Sequence, residues 1–174
     1  MLEFFEKIIS FFNKHNIEYM LTGSVALSVY SLSRATKDFD FIVNIKKENV
    51  DEFIENFNEG FYCDKDSIND AIKYKSMFNI IDHATSYKAD FIVLKNGSFY
   101  ETEFKRKQEV DFSGINVFVI SAEDLLLSKL MWIQELQSSI QMEDIKTLMM
   151  VENLDLNYVQ FWIKELKLNT FNLL

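Results

Sequence analysis

The stretch Thr22 to Val43, "TGSVALSVYSLSRATKDFDFIV", decides how the rest of the chain is read. A Gly-Ser pair stands at one end, and two aspartates flank a phenylalanine at the other. "DFDFIVNI" is too apolar for a sheet edge and is expected as a central strand. In a strand successive side chains alternate between faces, so Asp38 and Asp40 point the same way. Two carboxylates on one face repel unless a cation lies between them or one of them takes up a proton.

Upstream, "IEYMLTG" reads as a strand ending at Gly23, and "SVALSVYSLS" as a short helix opening at Ser24. Backbone N–H groups at such a helix start can hold phosphate oxygens, and a glycine lets a phosphate come close to the backbone. Ser24 adds a hydroxyl. The following strand then brings Asp38 and Asp40 to the same end. Magnesium prefers hard oxygen ligands and is commonly held by one or two carboxylates plus substrate phosphates. The bland alternatives are an ordinary strand-to-helix turn with a serine cap, and an Asp40 paired to Arg34.

Farther out, Phe4, Phe5, Ile8, Ile9 and Phe12 recur at helical spacing and predict a helix over Leu2 to Lys14. "KENVDEFIENFNEG" is expected as a helix stopping at Gly60, and "SINDAIKYKSMF" as another capped by Ser67. "NIIDHAT" and "YKADFIVLK" form a hairpin, "SFYETEFKRKQEV" is helical or irregular, and "VDFSGINVFVIS" turns at Ser113-Gly114. Three helices follow, over 122–138, 142–153 and 156–168. The fold class is α+β: a small mixed β-sheet flanked by helices, as one unit with an α/β core over 1–120 and C-terminal helices over 121–174 packed on it.

The chain has 174 residues, 48% of them hydrophobic, which is enough for a sizeable core. Its formal charge of −9 disfavours a broad basic nucleic-acid surface. The best local basic patch is "KRK", Lys105 to Lys107, flanked by Glu101, Glu103 and Glu109. One cysteine, Cys63, excludes an intrachain disulfide and fits a reducing compartment. Glu3, Glu6 and Lys7 interrupt the apolar N-terminus, which argues against a signal peptide or a membrane span, so the expected location is cytoplasmic. His15 and His83 lack partners at zinc-ligand spacing.

Gly23-Ser24, a thirteen-residue gap and then Asp38-Phe39-Asp40 resemble the signature of the polymerase-β-type nucleotidyltransferase superfamily. More narrowly, "RATKDFDFIV", "SAEDLLLSKL" and "QMEDIKTL", in this order, resemble the abortive-infection (AbiEii-like) nucleotidyltransferase toxin family, with Ala122 where that family usually has proline. The resemblance implies transfer of a nucleoside monophosphate from a nucleoside triphosphate, dependent on Mg²⁺ or Mn²⁺. It also implies an RNA (tRNA) or protein acceptor, a toxin role and a cognate antitoxin. A small-molecule acceptor, and a non-catalytic binding partner, are the alternatives.

Under that resemblance Gly23, Ser24 and Arg34 face the triphosphate, and Asp38 and Asp40 hold metal. Asp90, at the start of another apolar strand, is the third carboxylate, as metal ligand or base. Lys129 and Asp144 match active-site motif positions. Lys129 also falls inside the apolar arc of its helix, with Leu125, Leu126, Leu130, Ile133 and Leu136. It there either snorkels to water or aims its ammonium at the phosphates.

Overall fold

A computed structural model of the chain describes residues 1–31 and 36–174. The elements run α1 (Leu2–Lys14), β1 (Tyr19–Thr22), α2 (Gly23–Tyr30), β2 (Asp38–Val43), a 3-10 turn at Lys47–Asn49, α3 (Val50–Asn56), β3 (Phe61–Tyr62) and α4 (Lys65–Tyr74). They continue with β4 (Met77–Asp82), β5 (Lys88–Val93), α5 (Ser98–Lys105), β6 (Gln108–Phe112), β7 (Ile115–Val119), α6 (Ala122–Glu135), α7 (Ser139–Leu148) and α8 (Leu156–Glu165). The strands form one mixed sheet in the order β3-β4-β5-β2-β1-β7-β6, so β2 is central as its composition requires. The fold is the expected α+β arrangement.

The pleat of β2 divides the molecule. Phe39, Phe41 and Val43 turn to one face, where α1 lies across them: the Phe5 ring sits 5.0 Å from Phe39 and 5.9 Å from Phe41. Phe12, Phe53, Phe78 and Phe91 extend the same aromatic layer, with rings 5.0 to 5.9 Å apart. β5 pairs with β2 in parallel and in step, so Ala89, Phe91 and Val93 share this face while Lys88, Asp90 and Ile92 share the other. β1 runs antiparallel on the opposite side of β2, with Thr22 across from Asp40. Gly23 has φ +66°, a left-handed conformation favoured by glycine, and begins α2 directly above that pair.

Both hairpins form, β4 with β5 and β6 with β7, the second closing through Phe112 opposite Ile115. Several boundaries differ from the periodicity. The helix before Gly60 is a 3-10 turn plus a short α3 ending at Asn56. α4 is capped by Asp64, which accepts the Ser67 N–H at 2.8 Å, so Ser67 lies inside the first turn. Met77 and Phe78 belong to β4 and not to that helix. α6 ends at Glu135, leaving Leu136 exposed outside the apolar arc.

The C-terminal helices are tied down by one carboxylate. Asp124, fully buried, accepts from Arg106 Nε at 3.0 Å, Ser121 Oγ at 2.6 Å and the Tyr158 hydroxyl at 2.6 Å. Arg106 also reaches Glu123 at 3.0 Å and stacks on the Tyr158 ring. Lys107 sits over Phe104, so two of the three "KRK" cations serve internal contacts. The cluster joins α5, the start of α6 and α8. Replacing one partner of such a buried network strands the others, at about 3–5 kcal/mol. Asp124→Ala should therefore lower the unfolding free energy obtained from urea titration by an amount in that range, with Arg106 and Tyr158 left uncompensated; a loss below about 1 kcal/mol would refute this role.

Candidate active site

On the face away from α1, β2 and β5 present an acidic row. Asp38 stands opposite Lys88, Asp40 opposite Asp90, and Ile42 opposite Ile92. Asp38 is exposed at the strand start, Asp40 is partly covered, and Asp90 is buried. Lys88 Nζ binds one Asp90 oxygen at 2.8 Å, and the other oxygen, buried, has no hydrogen-bond partner. The Lys88 pKa is raised, first by that bond to Asp90, and further by the charges of Asp90, Asp38 and Asp40. Burial, then Asp90 and Asp38, push the Asp40 carboxyl up to about 6, with Lys129 and Lys88 opposing. The repulsion is met by a cation of the protein's own, Lys88, and by a raised proton affinity at Asp40.

The start of α2 closes over Asp40. A Cβ built on Gly23 would fall on the Asp40 carboxyl, so the glycine is demanded by this aspartate as well as by its φ. That is a second reason for Gly23, beyond the close approach of a phosphate. Thr22 and Ser24 are buried beside it.

From α6, Lys129 enters the same site. It is only 4% exposed, so its ammonium does not snorkel into bulk water. It binds Asp144 at 2.7 Å and Gln141 at 3.0 Å, both from α7, while its charge acts on Asp40. Asp144 is buried with it. The structure thus brings together Gly23, Ser24, Asp38, Asp40, Asp90, Lys129 and Asp144; Arg34 lies outside the described residues. A cleft of about 720 Å³ opens beside them, and of these residues Gly23, Ser24, Asp40 and Lys129 line it. Ile42, Ile92 and Met77 line it too, as do Tyr100, Glu103, Ser128 and Trp132.

Among the described residues no three His, Cys, Asp or Glu side chains converge as a ready-made metal cage. Asp40 and Asp90 in register, one of them with an unpartnered buried oxygen, nevertheless suit a hard cation completed by phosphate oxygens. Glu103 and Ser128 were not legible as site residues. Glu103 is flanked by charges in sequence, and its burial beside Ser128 of α6 is set only by the fold.

Two outcomes follow from this geometry. The raised Asp40 pKa means that the folded state holds its proton more tightly than the unfolded chain does. That stabilisation is complete below about pH 4 and is lost as pH rises through about 6. Metal-free Asp40→Asn, a neutral mimic, should melt a few degrees above the wild type at pH 8 and level with it at pH 4. The reverse order would contradict the acidic row. Gly23→Ala should displace Asp40 and lower the melting temperature, and a variant as stable and active as the wild type would show that nothing presses on that carboxyl.

No curated protein matches the chain in sequence. Among solved structures, it resembles the antibiotic-resistance factor ANT(2'')-Ia in complex with adenylyl-2''-tobramycin, at TM-score 0.63 and 12% identity, covering 95% of each chain. It also resembles the lincosamide antibiotic adenylyltransferase LnuA, lincomycin-bound, at TM-score 0.57 and 16% identity over 82% of this chain and 92% of that one. An antigenic nucleotidyltransferase-like protein from Paracoccidioides brasiliensis follows at 0.52 and 14%, over 91% and 85%. At these identities the likeness is one of fold. The family model that matches residues 1–172 is the nucleotidyltransferase of unknown function DUF6036, which supports the superfamily and not the abortive-infection family in particular. The chain belongs to that DUF6036 family, and it is a nucleotidyltransferase enzyme.

Proposed function

We propose that the protein transfers a nucleoside monophosphate from a nucleoside triphosphate to a small-molecule acceptor, with release of pyrophosphate. The observation that carries the reading is the convergence, on one cleft, of Asp40 from the acidic row of β2 and β5, the glycine-led start of α2 and the buried Lys129. In this reading the N–H groups at Gly23 and Ser24 receive the triphosphate. Lys129, fixed by Asp144 and Gln141, sets a positive charge against its phosphates. Asp40 and Asp90, joined by Asp38, would hold Mg²⁺ or Mn²⁺, which neutralises charge on the reacting phosphate when bound. One Asp90 oxygen is taken by Lys88 and the other is buried without a partner, which supports a role as ligand.

The choice of a small acceptor rests on the surface chemistry. Arg106 and Lys107 of the basic run are committed to internal contacts, and the formal charge is −9. An RNA acceptor, and with it a toxin role and an antitoxin, has less support for that reason. Two of the structural neighbours are adenylyltransferases with antibiotic bound or modified, which favours the same choice. Incubating the protein with each labelled nucleoside triphosphate, Mg²⁺, and either total RNA or the small-molecule fraction of a lysate tests it. Label should enter the small-molecule fraction; label in RNA alone would overturn the acceptor class.

Lys129→Met removes the charge and leaves Asp144 buried and unpaired, so it should cost about 3–5 kcal/mol of stability as well as turnover. The double variant Lys129→Met/Asp144→Asn should recover most of the stability and none of the turnover. A double variant that regains activity would make the pair structural only.

A further inference from the structure

Glu103 lies on α5 and is only 1% exposed, yet it lines the cleft. Ser128 donates a hydrogen bond to one of its oxygens at 2.5 Å. Among the described residues no Lys, Arg or His reaches it within ion-pair distance. Lys95, at the cleft margin, is exposed, lies 5.5 Å from the centre of the Tyr100 ring, and opposes the rise in the Glu103 pKa only weakly. Burial, reinforced by Asp124, pushes that carboxyl up to about 8 despite Ser128. A buried carboxyl without a cation is costly to ionise, and a ligand ammonium beside it would lift that cost. The same cleft is lined by the ring of Tyr100, half-buried, that of Trp132, 61% exposed, and by Glu135. Aromatic faces and carboxylates together are a setting for organic cations.

We propose that Glu103, seated on Ser128 in the cleft that Trp132, Tyr100 and Glu135 also line, is the recognition site for an amine-bearing, cationic small acceptor. The proposal rests on the nucleotidyltransferase reading of the cleft and names the chemistry of its second substrate. Ser128 and Lys129 are neighbours on α6, so the cation site and the phosphate-facing lysine are carried by the same turn of helix. The two halves of the cleft have opposite preferences: Lys129 and the start of α2 suit anions, and Glu103 with Glu135 suits a cation.

Calorimetric titration of the full-length protein, without nucleotide, tests the site. The probes are tobramycin, as a multiply aminated sugar, and maltotriose, as a neutral one. Tobramycin should bind and maltotriose should not. Glu103→Gln, which keeps an acceptor for the Ser128 hydroxyl and removes the charge, should weaken tobramycin at least about tenfold, equivalent to 1.4 kcal/mol. Should that variant fail to fold, Trp132→Ala, a change at an exposed position, should weaken it several-fold. Absence of tobramycin binding, equal affinity in wild type and both variants, or equal binding of maltotriose overturns the proposal. A parallel titration of the wild type with ATP and Mg²⁺ reports on the nucleotide reading by itself: failure there with tobramycin bound would refute that reading, and failure of tobramycin alone would refute only the acceptor site.

Discussion

Everything in this protein depends on the alternation of one strand. β2 carries phenylalanines and valine on one side and two aspartates and an isoleucine on the other, in a single run of six residues. The first set is held by the rings of α1, so the second set has no freedom to turn inward. A slip of one residue would bury both carboxylates in the aromatic layer and expose its phenylalanines. The stability of the core and the direction of the acidic row are thus one constraint. The parallel partner β5 repeats the same alternation in step, which is why Asp90 arrives opposite Asp40.

The other wall of the cleft is α6, and one helix sets both its anchoring and its chemistry. Ser121 caps it through the Asp124 N–H at 3.2 Å, while the Asp124 carboxylate gathers Arg106 and Tyr158. These contacts fix how the helix is rotated. With the rotation fixed, Leu125, Leu126, Leu130 and Ile133 bury, Ser128 meets Glu103, and Lys129 meets Asp144. The buried ion pair then ties α6 to α7, so the lysine held over Asp40 is placed by the packing and not by its own flexible chain.

What could be read in the sequence followed from strong local periodicity. The amphipathic α1, the central β2, both hairpins and the inward face of α6 around Lys129 were legible because each repeats a pattern over several residues. The Gly23-Ser24 turn and the Asp38/Asp40 pair were legible because their residue types are unusual beside an apolar strand. Boundaries were less so: Ser67 has the chemistry of a cap, but Asp64 three residues earlier does the capping. The fate of Arg106 and Lys107 depends on partners 11 to 52 positions away, Asp124 and Tyr158 for one and Phe118 for the other, which no short window contains. Glu103 is the clearest case. Nothing next to it in the chain marks it as buried, and its partner Ser128 lies 25 positions away on α6.

The electrostatics of the cleft also explain why its cations are arranged as they are. Three carboxylates line the sheet face, and a nucleoside triphosphate is itself strongly anionic, so the bare row would repel it. Lys88 is already held by Asp90, and Lys129 by Asp144, so part of each positive charge is offset within the protein. Paired lysines lower the repulsion without reversing it. The Asp90 oxygen that lacks a partner and the Asp40 carboxyl that keeps a proton to about pH 6 are what remains unbalanced. In the reading proposed above, Asp40 and Asp90 would hold a divalent cation carried with the triphosphate, which would offset the negative charge of the row. On the proposed reading, the row suits a metal–nucleotide pair taken together better than a bare nucleotide.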